Sequence, residues 1–174
     1  TLNPDLPLSV YEKAYELLAQ KVADKTLASI NKEKYDILKN GIPVVYTNDS
    51  GELVKKKLKI FDYNNYANND FLAVRQLEIV GELYSRRPDV IGFVNGVPLV
   101  FFELKGHHSD LRNAYNDNIK DYQDTIAHVF HTNAFIILSN GVASKLGTVT
   151  SPYKFFLDWK RIEEEQEGVV SLDT

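Results

Sequence analysis

Apolar residues at Val10, Ala14, Leu17, Leu18, Val22 and Leu27 recur at helical spacing and predict a helix from Ser9 to about Ile30, with Ser9 as its N-cap. A second, shorter helix is expected from Asn31 to Asn40, stopped by Gly41. The pattern then changes to strands at Val44 to Thr47 and Leu53 to Phe61, joined by an Asn48-Asp49-Ser50-Gly51 turn. Asp62 to Asp70 is an Asn- and Tyr-rich loop too polar for a core, a segment suited to ordering against a partner or a neighbouring domain, and Phe71 to Val80 reads as a further strand. Ser109 is placed to cap a helix to about Phe130, with Leu111, Ala114, Tyr115, Asn118, Tyr122, Ile126 and Val129 tracking one side. Ala134 to Leu138 is a short apolar strand ending in a Ser139-Asn140-Gly141 turn. Lys154 to Leu157 is read as a last edge strand, and Asp158 as the start of a helix through Glu167 with Glu163, Glu164 and Glu165 on a solvated face.

Between the two halves of this pattern lies Arg86 to Gly106, RRPDVIGFVNGVPLVFFELKG, two apolar runs joined through Asn95-Gly96. In a strand, residues alternate faces, so Leu99, Phe101, Glu103 and Lys105 share one face of the second run. A two-residue loop at Asn95-Gly96 would pair Asp89 with Phe102 and send its carboxylate to the other side. A three-residue loop, Val94-Asn95-Gly96 with Gly96 left-handed, pairs Asp89 with Phe101 and gathers all three polar groups, and this is the expected arrangement. Asp89 and Glu103 would then be diagonal neighbours, within the span of one Mg²⁺ or Mn²⁺ ion, with the three groups open to solvent in a cleft. The run Leu99-Val100-Phe101-Phe102 suggests a strand covered on both faces, yet it ends directly in Glu-Leu-Lys. Charged groups at the end of a buried strand require a partner, a ligand or water.

Length and composition change the picture little: 174 residues at 44% hydrophobic content are enough for one compact domain with a full core. The absence of Cys excludes disulfides and thiolate metal sites and suits a cytoplasmic setting. No run has the length of a membrane span. A net charge of −4 gives no overall basic balance for holding a polyanion such as a nucleic acid unaided, so basic groups for that purpose would have to be local, among Arg86, Arg87, Lys105, His107, His108 and Lys120, or other domains would do the holding. Lys55, Lys56, Lys57 and Lys59 read as a solvated edge, as do Glu12 and Glu16 on the first helix. His107 and His108 are adjacent, with no Cys or further His spaced to complete a zinc site, which favours a phosphate or water contact.

RRPDVIGFVNGVPLVFFELK resembles the PD-(D/E)xK nuclease motif as carried by the N-terminal domain of the restriction (R) subunit of type I restriction-modification enzymes. FDYNNYANNDFLAVRQLEIV upstream, and NAFIILSNGVASKLGT and FFLDWK downstream, extend the resemblance from about Tyr11 to Lys160. It implies an α/β, restriction-endonuclease-like fold with a central mixed β-sheet flanked by helices. The implied activity is Mg²⁺-dependent cleavage of double-stranded DNA, with little specificity of its own, alongside methylation and specificity subunits. Asp89 matches the motif's acid, Glu103 and Lys105 its ExK pair, and Leu104 the residue whose backbone carbonyl can complete the metal shell. Where such nucleases often carry Gln-x-x-x-Tyr, this chain has Asn118 and Tyr122. The resemblance makes 1–174 a single nuclease domain leading, from about residue 158, toward an ATP-dependent motor; no G-x-x-x-x-G-K-[ST] loop occurs in these residues, so ATP would act only through that motor. Two other readings share parts of the pattern: a stand-alone repair or junction nuclease, and a catalytically silent DNA-binding or assembly module.

Overall fold

A computed structural model of the chain describes residues 2–4, 6–20, 22 and 24–159. In chain order the elements are helices α1 (Leu8–Ala19) and α2 (Leu27–Asn40), then strands β1 (Ile42–Thr47), β2 (Leu53–Leu58), β3 (Phe71–Arg75), β4 (Ile79–Val80), β5 (Ser85–Arg86), β6 (Val90–Val94) and β7 (Val97–Leu104). A segmented helix, α3, follows as Leu111–Asn113, a π-helical Ala114–Ile119 and Lys120–Thr125, and strands β8 (Phe135–Ser139), β9 (Ser144–Gly147) and β10 (Leu157–Asp158) close the described chain. Six strands form one mixed sheet in the order β10-β9-β8-β7-β6-β3, while β1-β2 and β4-β5 are separate two-stranded ribbons. All neighbours in the large sheet are antiparallel except β7 and β8, whose parallel pairing is bridged by α3. The α/β class expected from the sequence is therefore the observed one. Among the described residues no helix is long and apolar enough to cross a membrane.

The first expected helix is two. Asp24 adopts φ 66° between them, and the Thr26 hydroxyl accepts from the Ser29 N–H at 3.3 Å to start α2. Pro7 rather than Ser9 occupies the N-cap of α1, without a side-chain bond. Helical spacing continues across the break because each helix buries part of the stripe, Val10 and Ala14 from α1 and Ile30 and Leu38 from α2, whereas Leu17 is exposed. Gly41 ends α2 as expected, with φ 77° and its N–H donating to the Ile37 carbonyl at 2.9 Å. The Asp62 to Asp70 loop orders itself: the Asp62 carboxylate accepts from the backbone N–H groups of Asn64 and Asn65, both at 3.0 Å, and from the Asn68 amide at 2.7 Å.

The other strand and helix limits shift similarly. β2 stops at Leu58, and β3 stops at Arg75 because Gln76 turns left-handed at φ 51°. β9 had no counterpart in the sequence reading, and Tyr153–Phe155 is a 3-10 turn before β10. Asp158 belongs to β10, and the helix expected beyond it lies outside the described residues. Asp110, not Ser109, caps α3, and Ala127–Phe130 is a separate 3-10 turn.

α3 covers one sheet face, burying Ile91, Phe101, Ile136 and Leu138 under Ala114, Ile119, Tyr122 and Ile126, with Phe101 and Phe130 stacked at 4.4 Å. The opposite side of the same strands, including Val90, Val100, Phe102 and Ile137, is only half-buried, so the apolar run in β7 is covered fully on one face rather than two. A second core joins α1, α2, β1 and β2 around Val10, Leu38, Ile42, Leu58 and Val97.

The β6-β7 turn is tighter than expected. Val94 pairs with Val97, leaving only Asn95 and Gly96 in the loop, at φ 49° and 79°. Asn95 tolerates this conformation and is anchored there, donating to the Ile60 carbonyl at 2.7 Å and to Asn69 Oδ1 at 2.9 Å while accepting from the Asp70 N–H at 2.8 Å. Asn95→Ala is expected to destabilise the chain by roughly 2 kcal/mol, through lost hydrogen bonds and an unfavourable left-handed alanine. Urea unfolding would check it; a loss within experimental error would mean that the turn needs no side chain.

Candidate active site

The register shifts by one residue between Gly92 and Phe93, which pair with Val100 and Pro98, so Leu99 is a bulge in β7. Beyond it Ile91 faces Phe101 and Val90 faces Phe102, and the next step sets Asp89 against Glu103. The bulge thus restores the parity that the two-residue turn would have lost. Asp89 does join the Glu103 and Lys105 face, by a route other than the expected loop. The Leu104 N–H donates to Asp89 Oδ2 at 2.8 Å, and the parallel ladder with β8 continues as far as the Lys105 N–H, which donates to the Ser139 carbonyl at 2.8 Å.

The expectation that all three groups are open to solvent is not met. Glu103 is only 2% exposed, because α3 crosses this end of the sheet and lays Tyr122 beside it; Asp89 and Lys105 are half-buried. Burial, and then the Asp89 charge, push the Glu103 carboxyl up to about 7, against the opposing pull of Lys105. Lys105 Nζ donates to Asn118 Oδ1 at 2.6 Å and reaches Glu103 Oε1 at 3.4 Å. Asn118 Nδ2 in turn donates to the Tyr122 hydroxyl at 3.4 Å, and burial pushes that phenol up to about 12. Although a methylene shorter than glutamine, Asn118 therefore reaches Lys105. It sits in the π-helical segment, a distortion that re-aims side chains within a helix.

The other candidates are distributed differently. Arg86 forms a two-pronged ion pair with Asp121 of α3, and Arg87 donates to Glu78 at 2.8 Å, so both guanidinium groups have acidic partners. The Arg86 pair fastens the start of the Pro88-Asp89 segment to the helix that carries Asn118 and Tyr122. His107 is exposed over the Gly141 turn, where an added Cβ would lie 3.3 Å from its Nε2. Glu12, Glu16, Lys55, Lys56 and Lys57 are all exposed. One residue that the sequence did not single out is Gln76, whose amide donates to Asp89 Oδ1 at 2.7 Å. Its only signal would have been its place opposite Asp89 in the β3-β6 ladder, which a one-dimensional pattern does not carry.

Glu103 Oε2 is buried with no hydrogen bond of good geometry to it, although the Tyr122 hydroxyl lies close enough to the carboxylate for the two groups to influence each other. A buried carboxylate oxygen in that state could accept a cation, and the oxygens beside it are hard ligands of the kind that suit a small divalent ion. Among the described residues no group of three or more His, Asp or Glu side chains forms a cage. Two carboxylates with a backbone carbonyl and water fit Mg²⁺, which is seldom bound by protein ligands alone.

Residues 1–155 match the family described as type I restriction enzyme R protein N terminus. The chain belongs to this family. It is 37% identical over 171 residues to the type I restriction enzyme HindI endonuclease subunit of Haemophilus influenzae, covering 96% of this chain and 16% of that protein. It is 28% identical over 180 residues to the provisionally named MjaIXP endonuclease subunit of Methanocaldococcus jannaschii, covering 99% of this chain and 17% of that one. An R-protein N-terminal domain with the observed mixed sheet and flanking helices is consistent with a restriction-endonuclease-like fold.

Proposed function

We propose that this R-protein N-terminal domain is the Mg²⁺-dependent endonuclease of a type I restriction enzyme, with Mn²⁺ able to substitute. It would hydrolyse phosphodiester bonds of double-stranded DNA with little sequence specificity of its own, in a complex with methylation and specificity subunits. ATP would be used by a motor elsewhere in that complex. The observation that supports this most is the convergence of Asp89, Glu103 and Lys105 at one end of the sheet, with the Glu103 carboxylate buried there beside Tyr122. Asp89, Glu103 and the Leu104 carbonyl would hold the cation, whose chemistry is to acidify a bound water and neutralise charge on the scissile phosphate. Asn118 holds Lys105 by a 2.6 Å hydrogen bond, so the ammonium is pre-oriented to stabilise negative charge developing at the phosphate. His107 is free to meet the DNA backbone from its exposed position, whereas Arg86 and Arg87 serve through their acidic partners.

The test is plasmid cleavage by the complete enzyme with Mg²⁺ and ATP. Asp89→Asn is expected to slow cleavage by about 100-fold or more while ATP hydrolysis continues. Cleavage at the wild-type rate would remove Asp89 from the machinery and defeat this assignment.

A further inference from the structure

Among the described residues, the non-glycine positions with left-handed backbone are Asp24 at φ 66°, Asn95 at φ 49° and Gln76 at φ 51°. Aspartate and asparagine enter that region readily because their short polar side chains bond locally; glutamine has no such preference. A residue held against its preference points to a function at that position. For Gln76 the surroundings say which one. Its N–H donates to the Asp89 carbonyl at 3.0 Å, so the two residues sit opposite each other just past the end of β3. Its side-chain amide then donates to Asp89 Oδ1 at 2.7 Å, while the Leu104 N–H donates to Oδ2 at 2.8 Å. Both oxygens of one carboxylate are thus held from opposite neighbours, and each keeps a lone pair for another ligand.

We propose that Gln76 is a positioning residue for Asp89, fixing its carboxylate in the orientation that shares a divalent cation with Glu103. This rests on the metal-site reading above. Because ligand carboxylates are themselves oriented by hydrogen bonds, losing such a partner weakens metal binding without removing a ligand. Asparagine and glycine separate this role from a structural one. Both occupy φ near 50° more comfortably than glutamine, but asparagine carries its amide one methylene short of Asp89 and glycine has none.

Mn²⁺ is titrated calorimetrically into the nucleotide-free wild-type protein, Gln76→Asn and Gln76→Gly, and thermal unfolding of each is followed without metal. Both variants are expected to bind Mn²⁺ about 10-fold more weakly, with an unchanged or higher melting temperature. Wild-type affinity in both variants would overturn the proposal. So would an affinity loss accompanied in both by a lowered melting temperature, since Gln76 would then serve the fold and not the carboxylate. Failure of the wild-type protein itself to bind Mn²⁺ would instead bring down the metal-site reading, and this inference with it.

Discussion

In the complete enzyme, Glu103→Ala is expected to abolish DNA cleavage and weaken metal binding, whereas Lys105→Ala should abolish cleavage and leave the metal bound as tightly as before or more so. The two side chains lie 3.4 Å apart and carry opposite charge, so they act on a cation in opposite senses. Glu103 is one of two carboxylates available to it, and divalent affinity depends strongly on ligand charge. Lys105 would repel a cation held at the proposed site, and its removal would relieve that repulsion. Asn118→Ala should resemble Lys105→Ala in milder form, because it frees the ammonium without deleting it. Calorimetric titration with Mg²⁺ or Mn²⁺ beside a plasmid assay would distinguish these roles. Cleavage surviving in Glu103→Ala, or affinity falling equally in the Glu103 and Lys105 variants, would show them to be wrongly assigned.

Glu103→Gln is expected to make the metal-free protein more stable at pH 8, although it removes a proposed metal ligand. The Glu103 carboxyl titrates near 7 in the folded chain, against an ordinary value of 4.5, chiefly because burial penalises its charged form. A carboxyl raised in the folded state costs nothing below its unfolded value, where it is protonated in both states. The cost grows as pH rises from about 4.5 and levels off above about 7. It amounts to at most about 3 kcal/mol. Glutamine keeps the shape without the charge, so the difference in unfolding free energy between variant and wild type should be near zero at pH 4 and open to roughly 2 kcal/mol by pH 8. Saturating Mg²⁺ should narrow that gap by stabilising the wild type alone. Urea unfolding of both proteins across this range, with and without Mg²⁺, measures it directly. A difference that stayed flat with pH would mean that Glu103 is ionised at little cost in the fold.

These two properties of Glu103, its shared face with Lys105 and its burial, differ in how far they can be read from the chain. Strand alternation is local, so the Glu103-Leu104-Lys105 spacing alone places the two side chains together, and the contact between them confirms it. Asn118 and Tyr122 are likewise joined by helical spacing, and the Asn95-Gly96 turn and the Gly41 helix stop are written in residues that accept left-handed backbone. The side on which Asp89 falls is a different kind of quantity. It depends on the sum of every residue between it and Glu103, and one bulge at Leu99 reverses it. Leu99 carries no mark of this in its type, which is why the expected three-residue loop reached the right face by the wrong path. Burial of Glu103 under α3, the Arg86 to Asp121 clamp and the Gln76 amide on Asp89 are contacts between elements separated along the chain. Hydrophobic spacing records which face of an element turns inward, but not which side chain of another element it meets there. That is settled only when α3 crosses the sheet and β3 pairs along its edge.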